Sequence, residues 1–210
     1  NWWQRICEHN LHLRIPSPDP KYWFPVICFV ILTYFFFKEG ILEIDFIKVA
    51  SKFIGLLIII LILGEKKQFK NLLNEYFNLK LLFVVTVAAI ICYIITEQIP
   101  NFFFNKHFTN DSLSLFSALS IFIISPVFEE LFFRGIIQKM LHEKQKWYIA
   151  ILISSLLFTG FHTNLDNYYS LFIFSLISGY LFFKYNSLKS SILFHFSSNL
   201  LIFLTPILLK

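Results

Sequence analysis

Charge is scarce in this chain. Asp, Glu, Lys and Arg make up 15% of its 210 residues, and acids are the thinner share, 13 against 18 basic residues. An ordinary soluble domain devotes about a quarter of its residues to charge. With 57% of the side chains hydrophobic, too few charges remain to cover a soluble surface, which excludes a water-soluble globule. Cysteine is almost missing. Cys7, Cys28 and Cys92 stand far apart, which excludes a disulfide framework and a cysteine-type metal spacing and sets a thiol mechanism aside. There is no internal repeat and no low-complexity tract. No pair of Gly/Pro-broken segments recurs in the two halves, which speaks against a repeat-built transporter.

What the chain does have is long apolar runs. A helix needs about 20 apolar residues to cross a bilayer, and such runs fall at 22–37, 46–63, 79–99, 113–133, 147–163, 168–184 and 189–209. The expectation is an all-α, polytopic transmembrane bundle of about seven spans. The first run starts late, carries Pro25 and has no small-residue cleavage site after it, so it reads as a retained helix rather than a signal peptide. Residues 1–21, with Pro16, Pro18 and Pro20, read as an extended cytoplasmic arm. Residues 22–210 form one membrane-embedded domain, with 22–111 as scaffold helices and 112–205 as the part that carries chemistry.

Basic residues orient the bundle. One side collects Arg5, Arg14, Lys21, Lys66, Lys67, Lys70, Lys80, Lys139, Lys144, Lys146, Lys184 and Lys189; the other has Lys38, Lys48, Lys52, Lys106 and Lys210. The positive-inside tendency then places the N-terminus in the cytoplasm and the C-terminus outside. Anionic lipid headgroups account for the net charge of +5, and no nucleic-acid partner is called for. Trp23 and Trp147 fall at the expected interfaces.

Against this background the stretch SPVFEELFFRG, residues 125–135, is anomalous. Charges in an apolar span are costly unless paired or put to use. Pro126 fits the first turn of a helix, with Ser125 as its cap. On that helix Glu130 and Arg134 share a face and form an ion pair, while Glu129 points about 100° away. Glu130 is therefore assigned a held, neutralised role and Glu129 the chemistry. The next histidine within an apolar run is His162, in FTGFH. Glu129 and His162 are equidistant from the charged turn at Gln145 and Lys146, so a helical hairpin turning there brings them to one depth. In FHFSSN, His195 and Asn199 are four apart and present an imidazole and an amide from one helical face, a plausible donor pair for an oxyanion. Straight rods would keep His162 and His195 apart. The expected remedy is a non-helical polar link through Thr163, Asn164, Asp166 and Asn167 sunk into the bundle, followed by a short, tilted sixth span.

These three motifs, Glu-Glu-x-x-x-Arg at 129, 130 and 134, Phe-x-x-x-His at 158 and 162, and His-x-x-x-Asn at 195 and 199, resemble the type II CAAX prenyl endopeptidase and bacteriocin-processing family, also called the CPBP or Abi family of intramembrane glutamate proteases. The resemblance covers residues 112–205. It implies a metal-independent endopeptidase without cofactor, with a site open to the cytoplasm and a membrane-associated peptide or protein as substrate. By that resemblance Glu129 is the general base, His162 orients the water and shares its proton, His195 and Asn199 form the oxyanion hole, and Glu130 with Arg134 support them. The Phe, Ile, Lys and Asn bias points to a bacterial cell membrane, where prenylated substrates are not expected, and leaves peptide processing or bacteriocin self-immunity open. Two other readings stand beside it: a non-catalytic immunity protein that captures a bacteriocin-like peptide, and a zinc protease using Glu129, His162 and His195 as ligands.

Overall fold

The computed structural model describes residues 54–55, 79–98, 118–162 and 168–208. The expected arm at 1–21, the runs at 22–37 and 46–63 (all but Ile54 and Gly55), Trp23 and the polar link at 163–167 lie outside the described residues. Every regular element among the described residues is helical. Helix α1 spans Leu79–Tyr93 and ends in a π-helical turn, Ile94–Gln98. A second helical stretch runs without a break in helical backbone from Ser120 to Lys144 as π turn Ser120–Ile124, α2 Ser125–Glu130, π segment Leu131–Gln138 and α3 Lys139–Lys144. Then follow α4 Trp147–Gly160, α5 Tyr168–Tyr185 and α6 Leu188–Leu208.

Two of these helices are long and apolar enough to cross a membrane: Leu79–Gln98, of 20 residues and mean hydropathy 2.5, and Leu188–Thr205, of 18 residues and mean hydropathy 1.2. Lipid chains are as apolar as leucine, so helices of this kind associate through packing rather than through exclusion of water. Here aromatic rings do much of that packing. Phe132 meets Phe133 at 5.1 Å, Phe133 meets Phe158 at 5.1 Å, Phe158 meets Phe174 at 5.7 Å and Phe174 stacks on Phe194 at 5.1 Å between centroids, so one row of rings joins the 120–144 stretch to α4, α5 and α6. Such pairs contribute about 0.5–1.5 kcal/mol each beyond the area they bury. α1 packs along α6. Its far end is fastened to Thr205 by Tyr93 and to α5 by the Ser170 hydroxyl, which donates to the Thr96 carbonyl at 2.9 Å.

Two expectations are corrected. Pro126 does lie in the first turn of α2, but Ser125 is not its cap: the Ser125 backbone is itself helical (φ −63°, ψ −49°) and the chain before it is already wound. Pro126 has no N–H to donate and its ring crowds the carbonyl four residues back, and the wider π turn immediately before it is the accommodation a continuous helix makes. The sixth run is not short either. α5 has 18 residues while α4 has 14. The level at which α6 begins comes instead from the turn that precedes it. Asn186 takes a left-handed φ of 47°, Ser187, Leu188, Ser190 and Ser191 are fully buried, and Leu188 fills the space where a Cβ on Gly135 would lie 3.4 Å away. α6 therefore starts inside the bundle, and His195 arrives within two turns of that start.

Candidate active site

Glu129 and Glu130 close α2, and the π segment that follows carries Arg134. π segments are rare and cluster at functional sites, because the wider turn redirects side chains that α-helical spacing would stack. Glu130 is fully buried and sits between three elements. Its Oε2 accepts the Ser178 hydroxyl of α5 at 2.8 Å, and its Oε1 faces His195 Nδ1 of α6 at 3.0 Å. Arg134 Nε lies 3.1 Å from Oε2. That N–H is not aimed at the oxygen, so the contact is a charge pair rather than a hydrogen bond.

Arg134 is fully buried as well, which only a compensated guanidinium tolerates. Nη2 donates to the Ser175 carbonyl at 3.2 Å and to its hydroxyl at 3.0 Å. The guanidinium carbon rests 4.8 Å from the centroid of Phe158, a cation–π contact. This explains the aromatic residue one turn before His162. Arg134 and Ser175, Gln138 and Gly179, and His142 and Phe183 are all 41 residues apart and in contact, so the helical stretch and α5 run in one direction in constant register.

Both histidines are anchored through Nδ1. His162 lies just past the end of α4, and its Nδ1 is 2.8 Å from the Phe158 carbonyl. A carbonyl only accepts, so that nitrogen carries the hydrogen. His195 Nδ1 donates to the Glu130 carboxylate in the same way. Each ring thereby turns Nε2 toward one atom: Glu129 Oε2 is 3.9 Å from His162 Nε2 and 3.9 Å from His195 Nε2. That is beyond hydrogen-bond length, and it is a separation that one water, about 2.9 Å from each atom, spans at the apex of a triangle. Exposure grades across the cluster. The Glu130 and Arg134 side chains are at 0%, His195 at 7%, Glu129 at 14% and His162 at 32%, so the approach is from the Glu129 and His162 side.

The structure thus gathers Glu129, Glu130, Arg134, His162 and His195. Asn199 lies one turn beyond His195 and its Nδ2 donates to the Ile121 carbonyl at 2.8 Å, in the π turn ahead of Pro126. An amide nitrogen has a second hydrogen to give. Sequence reasoning passed over Ser175 and Ser178. The signal was there in Ser-x-x-Ser-Gly at 175–179, small and polar residues at helical spacing inside an otherwise aromatic and aliphatic run. Among the described residues no group of three or more His, Cys, Asp or Glu side chains is arranged to hold a metal ion.

No curated protein and no solved structure matched the chain. Residues 111–201, which hold every residue of the site, match the model of the Rce1-like family of type II CAAX prenyl endopeptidases.

Proposed function

We propose that this protein is an intramembrane endopeptidase that hydrolyses a peptide bond of a membrane-associated peptide or protein with a water activated by Glu129. The observation that carries the reading is the pair of 3.9 Å approaches of His162 Nε2 and His195 Nε2 to a single oxygen of Glu129, with both Nδ1 atoms already committed. The family match over residues 111–201 supports the same chemistry.

In this reading Glu129 takes a proton from the water as its oxygen attacks the carbonyl carbon. His162, whose Nε2 carries a lone pair, orients that water and shares the proton. The carbonyl π electrons move to its oxygen. That oxyanion is met by His195, which for this role carries both ring hydrogens, Nδ1–H on Glu130 and Nε2–H toward the oxygen, and by the second hydrogen of the Asn199 amide. Collapse breaks the C–N bond, and the leaving nitrogen takes the proton from Glu129. No covalent intermediate forms. Burial strengthens each of these hydrogen bonds. Arg134 holds Glu130 in place through their charge pair. The substrate reaches the site from the cytoplasmic side, with the N-terminus cytoplasmic and the C-terminus outside.

The test compares membrane peptides from cells carrying the intact protein or Glu129→Gln at equal abundance. A peptide cut only with intact protein supports the reading, and identical peptide sets refute it. Protection against a bacteriocin-like peptide that survives Glu129→Gln favours capture without cleavage.

A further inference from the structure

The carboxylate of Glu130 has two oxygens with separate duties. Oε1 holds His195, and Oε2 is shared by Arg134 and Ser178. Arg134 alone does not set the rotation of that carboxylate, because its Nε is misaligned with Oε2 and its Nη2 is spent on Ser175. The directional bond on Oε2 is the one from the Ser178 hydroxyl at 2.8 Å. Ser178 is fully enclosed, and the chain runs a further turn past it to Phe182, also buried, so the hydroxyl is held by its helix. Gly179 beside it allows close approach: a Cβ there would lie 2.8 Å from Gln138 Oε1 and 3.1 Å from Ile151 Cγ2. The absence of that methyl seats α5 near enough for Ser178 to reach Glu130.

We infer that Ser178 is a positioning residue for His195. By fixing Oε2 of Glu130 it aims Oε1 at His195 Nδ1, and so makes Nε2 the nitrogen that faces Glu129. Without the hydroxyl, the carboxylate turns toward Arg134 to improve that misaligned contact, Oε1 leaves Nδ1, and the ring loses the bond that selects its orientation. The consequence for turnover rests on the proposed hydrolysis, but the geometric claim does not.

Nitrogen-15 histidine spectra of the protein in detergent micelles test it, with His195→Gln identifying the resonances of His195. In the unaltered protein His195 shows a protonated, hydrogen-bonded Nδ1. Ser178→Ala is expected to shift that Nδ1–H resonance and speed its exchange with water. Ser154→Ala removes an equally buried hydroxyl, bonded to the Phe133 carbonyl at 3.0 Å, and is expected to leave the His195 resonances in place. Ser178→Thr, which keeps the hydroxyl, is expected to restore the original Nδ1–H resonance wherever circular dichroism shows the helices retained. His195 resonances unchanged by Ser178→Ala, or displaced equally by Ser154→Ala, overturn the inference. The spectra need no substrate. Loss of the Nδ1 bond in Ser178→Ala together with unchanged peptides in Glu129→Gln cells upholds the positioning and sinks the peptidase reading alone.

Discussion

Arg134→Met offers a quantitative test of how the site is held. The substitution keeps most of the length of the side chain and removes the guanidinium that lies 3.1 Å from Glu130 Oε2 and 4.8 Å from the Phe158 centroid. Glu130 is then a carboxylate at zero exposure with only the Ser178 and His195 bonds to compensate it. Breaking a buried pair by taking one partner costs about 3–5 kcal/mol, because the other charge stays behind. Most of that loss belongs to the orphaned charge, so taking the charge away should recover it. In Glu130→Gln/Arg134→Met the amide still meets Ser178 and His195, though one of those two bonds is mismatched, leaving a residual cost of about 1–2 kcal/mol. The double variant is therefore expected to be more stable than Arg134→Met by about 2 kcal/mol. The assay is reversible unfolding in mixed detergent micelles, followed by circular dichroism. A double variant as unstable as the single one, or worse, refutes the reasoning, since the cost would then lie in the packing of residue 134 and not in the abandoned carboxylate.

Further outcomes follow from other positions. Gly179→Ala places a methyl 2.8 Å from Gln138 Oε1 and 3.1 Å from Ile151 Cγ2 and is expected to cost about 1–3 kcal/mol. Gly160→Ala meets nothing within 4 Å and is expected to gain up to about 1 kcal/mol; the same unfolding assay ranks the two. Asn199→Ala, with the uncut precursor of the released peptide as substrate, is expected to lower kcat by roughly a hundredfold or more with little change in KM, the signature of a lost oxyanion donor; an unchanged kcat removes Asn199 from the site. Burial pushes the Lys139 amine down to about 8, with Glu143 opposing. The folded state thus disfavours the charged form, a penalty fully present below pH 8 and gone above the ordinary lysine value of about 10.4. Thermal stability attributable to this group should rise across that window, and Lys139→Met should flatten the rise; parallel pH profiles contradict it.

Some of this architecture is legible in the residues because helical arithmetic is local. Four residues separate Glu130 from Arg134, and their ion pair needs nothing but one turn. Glu129 and His162 straddle Gln145 and Lys146 evenly, and the hairpin turns there, with extended backbone at both residues. What could not be read depends on contacts between distant segments. The level of α6 is decided by Leu188 seating over Gly135, an approach that hydropathy does not encode, and for that reason the short sixth span was the wrong remedy. π widening on either side of α2 leaves no periodic mark, because the wider turn answers to Pro126 and to neighbouring helices rather than to the apolar pattern. Ser175 and Ser178 were overlooked since serines are common in this half, and only the register with Arg134 singles these two out.

The direct test of the central claim is an experimental density map fine enough to locate ordered water around Glu129. The account predicts one water about 3 Å from Glu129 Oε2 and from both Nε2 atoms, which themselves stay near the 3.9 Å seen here. Imidazoles turned away from Glu129, or a tetrahedral metal peak bound by Glu129, His162 and His195 in place of that water, contradict it.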